Sequence, residues 1–132
     1  MNSEQTHSRA KATKELSVMG AELIASLRAY VTAGFTDHIL DTSTPHRLYV
    51  SFYGLTLLFR VEIAWGGDAP LANISAYSLS DVPPKEVPLD VHLEFDSLGN
   101  ILDPKITKKE FPPVFLQKIF AALHANKVIL KP

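Results

Sequence analysis

Between residues 48 and 65 the apolar residues occupy even positions, Leu48, Val50 and Phe52, and then odd ones, Leu55, Leu57 and Phe59, with Tyr53-Gly54 at the change of phase. Side chains alternate across a strand with a period of two, so this change marks a strand that folds back on itself. If Phe52 stands opposite Leu55, then Val50 meets Leu57, Leu48 meets Phe59, and all six fall on one side of a hairpin. A continuous strand kinked at Gly54 is the alternative. Tyr53 suits the positive φ of a type I′ turn poorly, which favours a bulged turn using Gly54. The same register sets Arg47 opposite Arg60, a mild like-charge cost.

The other segments read as covers and extensions of that hairpin. Thr13 stands ahead of Leu16, Met19, Leu23, Leu27, Tyr30 and Val31, which recur at helical spacing and predict an amphipathic helix ending at Gly34. Residues 1–12 read as a disordered tail, leaving 13–132 as a single domain. Residues 35–45 are rich in turn formers and read as a loop with at most one helical turn. After the turn cluster Gly66-Gly67-Asp68-Ala69-Pro70, placing Trp65 opposite Ala72 pairs Ile63 with Ile74 and Val61 with Ala76. The small inward residues Ala72, Ala76 and Ser78 of that third strand would let a helix approach closely.

Residues 80–88 contain three prolines and read as a connector outside any central strand. Leu89, Val91, Leu93 and Phe95 alternate with Asp90, His92, Glu94 and Asp96, the pattern of a half-buried strand. Ile101-Leu102 begin a short strand limited by Pro104. Pro112-Pro113 open a second helix, where missing amide donors cost nothing, and its stripe is Phe115, Leu116, Ile119, Phe120 and Leu123. Asn126 ends it, and Val128-Ile129-Leu130 form a last apolar run, either a packed tail or an edge strand. The predicted fold class is α+β: an N-terminal helix, a four to five stranded, mostly antiparallel meander sheet and a C-terminal helix, with both helices on one sheet face. That order is similar in outline to several small binding modules, bacterial secretion chaperones among them, which carry a further helix within the run of strands.

Composition narrows the classes of function. The chain has 132 residues, 46% of them hydrophobic and 20% charged, with no cysteine. It is long enough to bury a core, too apolar for a disordered chain, and without the means for a disulfide or a thiolate zinc site. A cytoplasmic location is the simplest match. The polar first fourteen residues do not read as a secretory signal, and no run is apolar enough for a membrane span. The charge is uneven: net +2 over residues 1–14, −8 over 15–103 and +5 over 104–132.

No catalytic motif stands out. The five histidines form no HxH, HExxH or HxxxH pair, and turn chemistry accounts for Asp37, His38 and Asp41, so no metal or other cofactor is assigned. Asp90, His92 and Glu94 share a strand face and read as a solvated row that could serve as a proton relay. Gly66-Gly67 lacks the remainder of a phosphate-binding loop. Lys105, Lys108 and Lys109 are the anion-binding candidates, but without interleaved aromatic residues nucleic-acid binding ranks last. Tyr49, Leu58, Tyr77 and Leu79 face away from the helices and form the candidate protein interface, for a protein partner or a second copy of the chain. The leading expectation is a non-enzymatic binding or regulatory module using that sheet face or an edge strand. The alternative is a ligand-binding or enzymatic pocket between the sheet and the first helix, with Tyr30, His46 and Trp65 at its mouth.

Overall fold

The computed structural model describes residues 3–34, 38–52, 54–66, 69–81, 84–103 and 105–126. A 32-residue helix, α1 (Ser3–Gly34), precedes strands β1 (His38–Ile39), β2 (Arg47–Phe52), β3 (Leu55–Gly66), β4 (Ala69–Asp81), β5 (Pro84–Phe95), β6 (Ile101–Asp103) and β7 (Lys105–Ile106). A second helix, α2 (Phe111–Ala125), follows them. Each strand pairs antiparallel with the next, so the sheet is a meander in chain order. The α+β class holds. Among the described residues the sheet has seven strands rather than four or five, the additional ones being the two-residue β1 and β7.

The hairpin at 52–55 has the register that the change of phase implies: Phe52 faces Leu55, Val50 faces Leu57 and Leu48 faces Phe59. Gly54 takes a φ of 83°, a conformation that a residue without Cβ adopts freely. All of these inward side chains but Leu55 are buried, and they share a core with Ala72, Ile74, Leu93 and Phe95 from the neighbouring strands. Leu16, Met19, Leu23, Ile24, Leu27 and Val31 bring the apolar stripe of α1 onto it. From α2, Phe115 meets Phe59 edge-on at 5.6 Å and Phe120 meets Phe52 at 5.9 Å, so both helices cover one sheet face.

The β3–β4 hairpin is tighter than expected. Ile63 pairs with Ala72, Val61 with Ile74 and Trp65 with Pro70, a shift of two residues from the register that set Trp65 opposite Ala72. A shift of two keeps every side chain on its face, so the alternation could not reveal it. Pro70 is accommodated because β5 pairs with β4 only from Ala72 onward, leaving β4 with one neighbouring strand at residue 70.

Residues 84–88 are strand, not connector, pairing from Asp81↔Pro84 to Tyr77↔Pro88. Among the described residues, β5 has a neighbour on one side only over 84–93, because β6 joins it at Glu94 and Phe95. An edge strand tolerates proline, since a missing N–H there need cost no ladder bond. Between Ser75 and Tyr77 the register slips, and Asp90 sits at this bulge with a φ of 56°. The expected row of Asp90, His92 and Glu94 is therefore interrupted: His92 and Glu94 oppose Ser75 and Asn73, and Asp90 belongs to the bulge.

At the N-terminus, α1 begins at Ser3, so residues 3–12 of the segment expected as a tail are helical. Arg9, Ala10, Lys11 and Ala12 are good helix formers, and the Arg9 guanidinium lies 5.3 Å from the centre of the Trp65 ring, tying this stretch to the sheet. Thr13 is accordingly inside the helix, its hydroxyl donating to the Arg9 carbonyl four residues back. Residues 38–44 differ from a plain loop: β1 pairs with β2, and Thr44 bridges Arg47. The Val128-Ile129-Leu130 run lies outside the described residues.

Candidate functional site

Three strands bring one row of side chains together on the sheet face that carries no helix among the described residues. Tyr49 of β2 pairs with Leu58 of β3, which pairs with Tyr77 of β4. Leu79 occupies the adjacent row, opposite Thr56. The four candidate interface residues therefore do share one face and adjoin one another. Their exposure is uneven: Leu58 is fully buried at 0%, whereas Tyr49, Tyr77 and Leu79 are half-buried. Leu58 is the apolar centre of the outer face, and it stands apart from the core beneath the helices.

A polar network borders this centre. The Tyr77 hydroxyl donates to Glu62 Oε2 at 2.9 Å, and the Arg60 guanidinium lies 4.5 Å from the Tyr77 ring centre. Arg60 Nη1 donates to Glu86 Oε2 at 3.0 Å, and Arg60 Nη2 reaches Glu62 Oε2 at 3.4 Å. Arg60 thus faces two carboxylates and an aromatic ring, which offsets the like-charge cost of having Arg47 as its register partner. Partial burial pushes the Glu62 carboxyl up, but hydrogen bonds from Ser75 and Tyr77 and the charge of Arg60 outweigh it and hold Glu62 below the usual glutamate range. Burial, with the hydrogen bond to Glu62 added, raises the Tyr77 phenol. For Arg60, burial works downward, and contacts with Tyr77 and Glu86 more than reverse it.

Sequence reading alone missed Arg60, Glu62 and Glu86 as a unit with Tyr77. The signal available was the opposition of Arg47 and Arg60, which implies a need for counter-charge on that face. The partners stayed hidden because the contacts run diagonally: Tyr77 has Leu58 as its register partner, and Glu62 has Asn73.

The pocket candidates do not meet at one mouth. Trp65 is 46% exposed near Arg9, at the N-terminal part of α1. His46 Nε2 lies 2.9 Å from Ser17 Oγ and 3.0 Å from the Ser17 carbonyl oxygen, in the middle of the helix. Tyr30 packs against the core near the helix C-terminus. At about 1.5 Å per residue, Arg9 and Tyr30 stand roughly 30 Å apart along α1. Between them the helix rests directly on the sheet, since a Cβ added at Gly20 would come 2.7 Å from Val61 Cγ1.

Lys105, Lys108 and Lys109 are exposed at β7 and the turn leading to α2. Lys105 and Lys108 line a common depression; Lys108 pairs with Glu22 at 3.7 Å. Asp37 and the side chain of His38 lie outside the described residues. No helix among the described residues is long and apolar enough to cross a membrane. Comparisons with protein-family models, curated proteins and solved structures give no match to this chain.

Proposed function

We propose that the chain is a non-enzymatic protein-binding module that docks a protein surface, a second copy of itself included, on the helix-free sheet face around Tyr49, Leu58, Tyr77 and Leu79. The observation that carries this reading is a buried leucine flanked by half-buried tyrosines, with Tyr77 held by Glu62 and Arg60. Aromatic side chains held in place before contact lose little freedom on binding, which is what a docking surface gains from such a network. The absence of cysteine suits a reducing compartment such as the cytoplasm.

Two further observations rank this face above the other surfaces. Among the described residues the long strands near each side of the sheet are poor templates for an added strand: β2 is partly covered by β1 and the Thr44 bridge, and the open stretch of β5 carries Pro84, Pro88 and the Asp90 bulge. The close contact of α1 at Gly20 closes the middle of the space between helix and sheet, leaving about 210 Å³ beside Ala12 and Leu16, below the usual size of a small-molecule site.

Light scattering across a concentration series tests the self-association form with the chain alone. A dimer is expected at high concentration, reduced to monomer by Tyr49→Glu and by Leu79→Glu, with circular dichroism confirming that both variants remain folded. A dimer that survives both substitutions, or a monomer at every concentration, would overturn this face as the surface of self-association.

A further inference from the structure

A depression of about 860 Å³ opens between the β5–β6 turn, the β6–β7 hairpin and the lead-in to α2, well within the size range of small-molecule sites. Its accessible apolar surface comes from Leu98 and Leu102, 77% and 48% exposed, and from the half-buried Ile106, with the buried Ile101 packed beneath them. Among the described residues that line it, Lys105 and Lys108 are the cations and Glu110 the anion, a net charge of +1. These charges are not equally free. Glu110 accepts from the Thr107 amide and hydroxyl, and Lys108 shares Glu22. Lys108 is also placed by the backbone: Gly99, with a φ of 86°, leaves room for its side chain, since a Cβ there would collide with Lys108 Cε. Lys105 pairs with no carboxylate among the described residues.

We propose that this depression binds a monoanionic amphiphile, a carboxylate on an aliphatic chain, with the chain along Leu98, Leu102 and Ile106 and the carboxylate at the Lys105 ammonium. The apolar surface sets a preference for hydrocarbon, and Lys105, the cation of the described lining that has no carboxylate partner among the described residues, sets the sign and number of the charge. The site is separate from the helix-free sheet face, so its test and the dimer test fail independently.

The probe is decanoate, kept below its micelle-forming concentration and titrated into the ¹⁵N-labelled chain, with 1-decanol and decylammonium as controls. Saturable amide shifts confined to residues 98–110 are expected with decanoate, weaker ones with decanol and none with decylammonium. Lys105→Gln should weaken decanoate about fivefold and leave decanol unchanged. Leu102→Ser should weaken both. The spectrum of each variant shows at once whether it is folded. No saturable shift at 98–110, binding of decylammonium as tight as that of decanoate, or an unchanged decanoate affinity in Lys105→Gln would each overturn the proposal.

Discussion

Tyr77 donates its hydroxyl to Glu62 at 2.9 Å although the two residues are not register partners; the bond runs diagonally between β4 and β3. It joins the aromatic row of the outer face to the charges of Arg60 and Glu86. The helix-free face therefore has side chains with defined places, not a set of independent solvated groups.

Tyr77→Phe removes that bond while keeping the ring under Arg60. A loss of no more than about 1 kcal/mol is expected at pH 7, because the site is only partly buried. The pH dependence follows from the depressed carboxyl. Glu62 has a lower pKa folded than unfolded, so its contribution is present above the unfolded value of about 4.3 and disappears as pH falls through the folded value. The stability gap between wild type and Tyr77→Phe should accordingly narrow on acidification below pH 4. Urea unfolding at several pH values measures it, and a gap that widens in acid would contradict the assignment.

Leu58→Ala should behave as a core truncation, not a surface one. With Leu58 at 0% exposure, a loss of about 2–3 kcal/mol is expected by urea unfolding, against a few tenths for a leucine on an open sheet face. A loss below about 0.5 kcal/mol would show that the face has no packed centre.

Gly20→Ala tests the contact between α1 and the sheet. Helix propensity alone favours alanine by up to about 1 kcal/mol, but the new methyl would meet Val61 Cγ1 at 2.7 Å and Phe95 Cζ at 3.3 Å. Overpacking costs about 1–3 kcal/mol, so net destabilisation of about 1 kcal/mol is expected. Combining it with Val61→Ala should cost less than the two changes separately, the non-additivity of residues in contact, and thermal melts of the four proteins give the coupling.

Thr107→Ala tests the turn that leads into α2. Thr107 and Glu110 cap one another: Glu110 Oε1 accepts from the Thr107 amide at 3.1 Å and hydroxyl at 2.9 Å, and Thr107 Oγ1 accepts from the Glu110 amide at 3.2 Å. The Thr107 amide and then its hydroxyl hold the Glu110 carboxyl below its usual range. Losing the hydroxyl should raise the Glu110 value in an NMR titration and lower the melting temperature by about 3 °C. An unchanged Glu110 titration would show that the hydroxyl is not its partner in solution.

Much of the core was legible in the residue pattern. The change of phase at Tyr53-Gly54 and the helical spacing of Leu16, Met19, Leu23 and Leu27 are consequences of local periodicity, two for a strand and 3.6 for a helix. The tyrosines of the outer face were assigned to their side by the same rule. Thr107-x-x-Glu110 was equally visible as a capping signature, yet its signal was eclipsed by Pro112-Pro113.

By itself the sequence determined which side of each strand is apolar, where the first hairpin turns, and that helical stripes exist to cover it, because all three depend on neighbours in the chain. Tertiary structure alone decided the two-residue slide of β4 along β3, the admission of Pro84 and Pro88 to an edge strand, and the meeting of Arg60, Glu62, Tyr77 and Glu86. A slide of two preserves every alternation, and a proline is tolerated or excluded according to whether a strand lies on its other side. Diagonal contacts arise only once the strands are aligned and packed, so no local pattern encodes them.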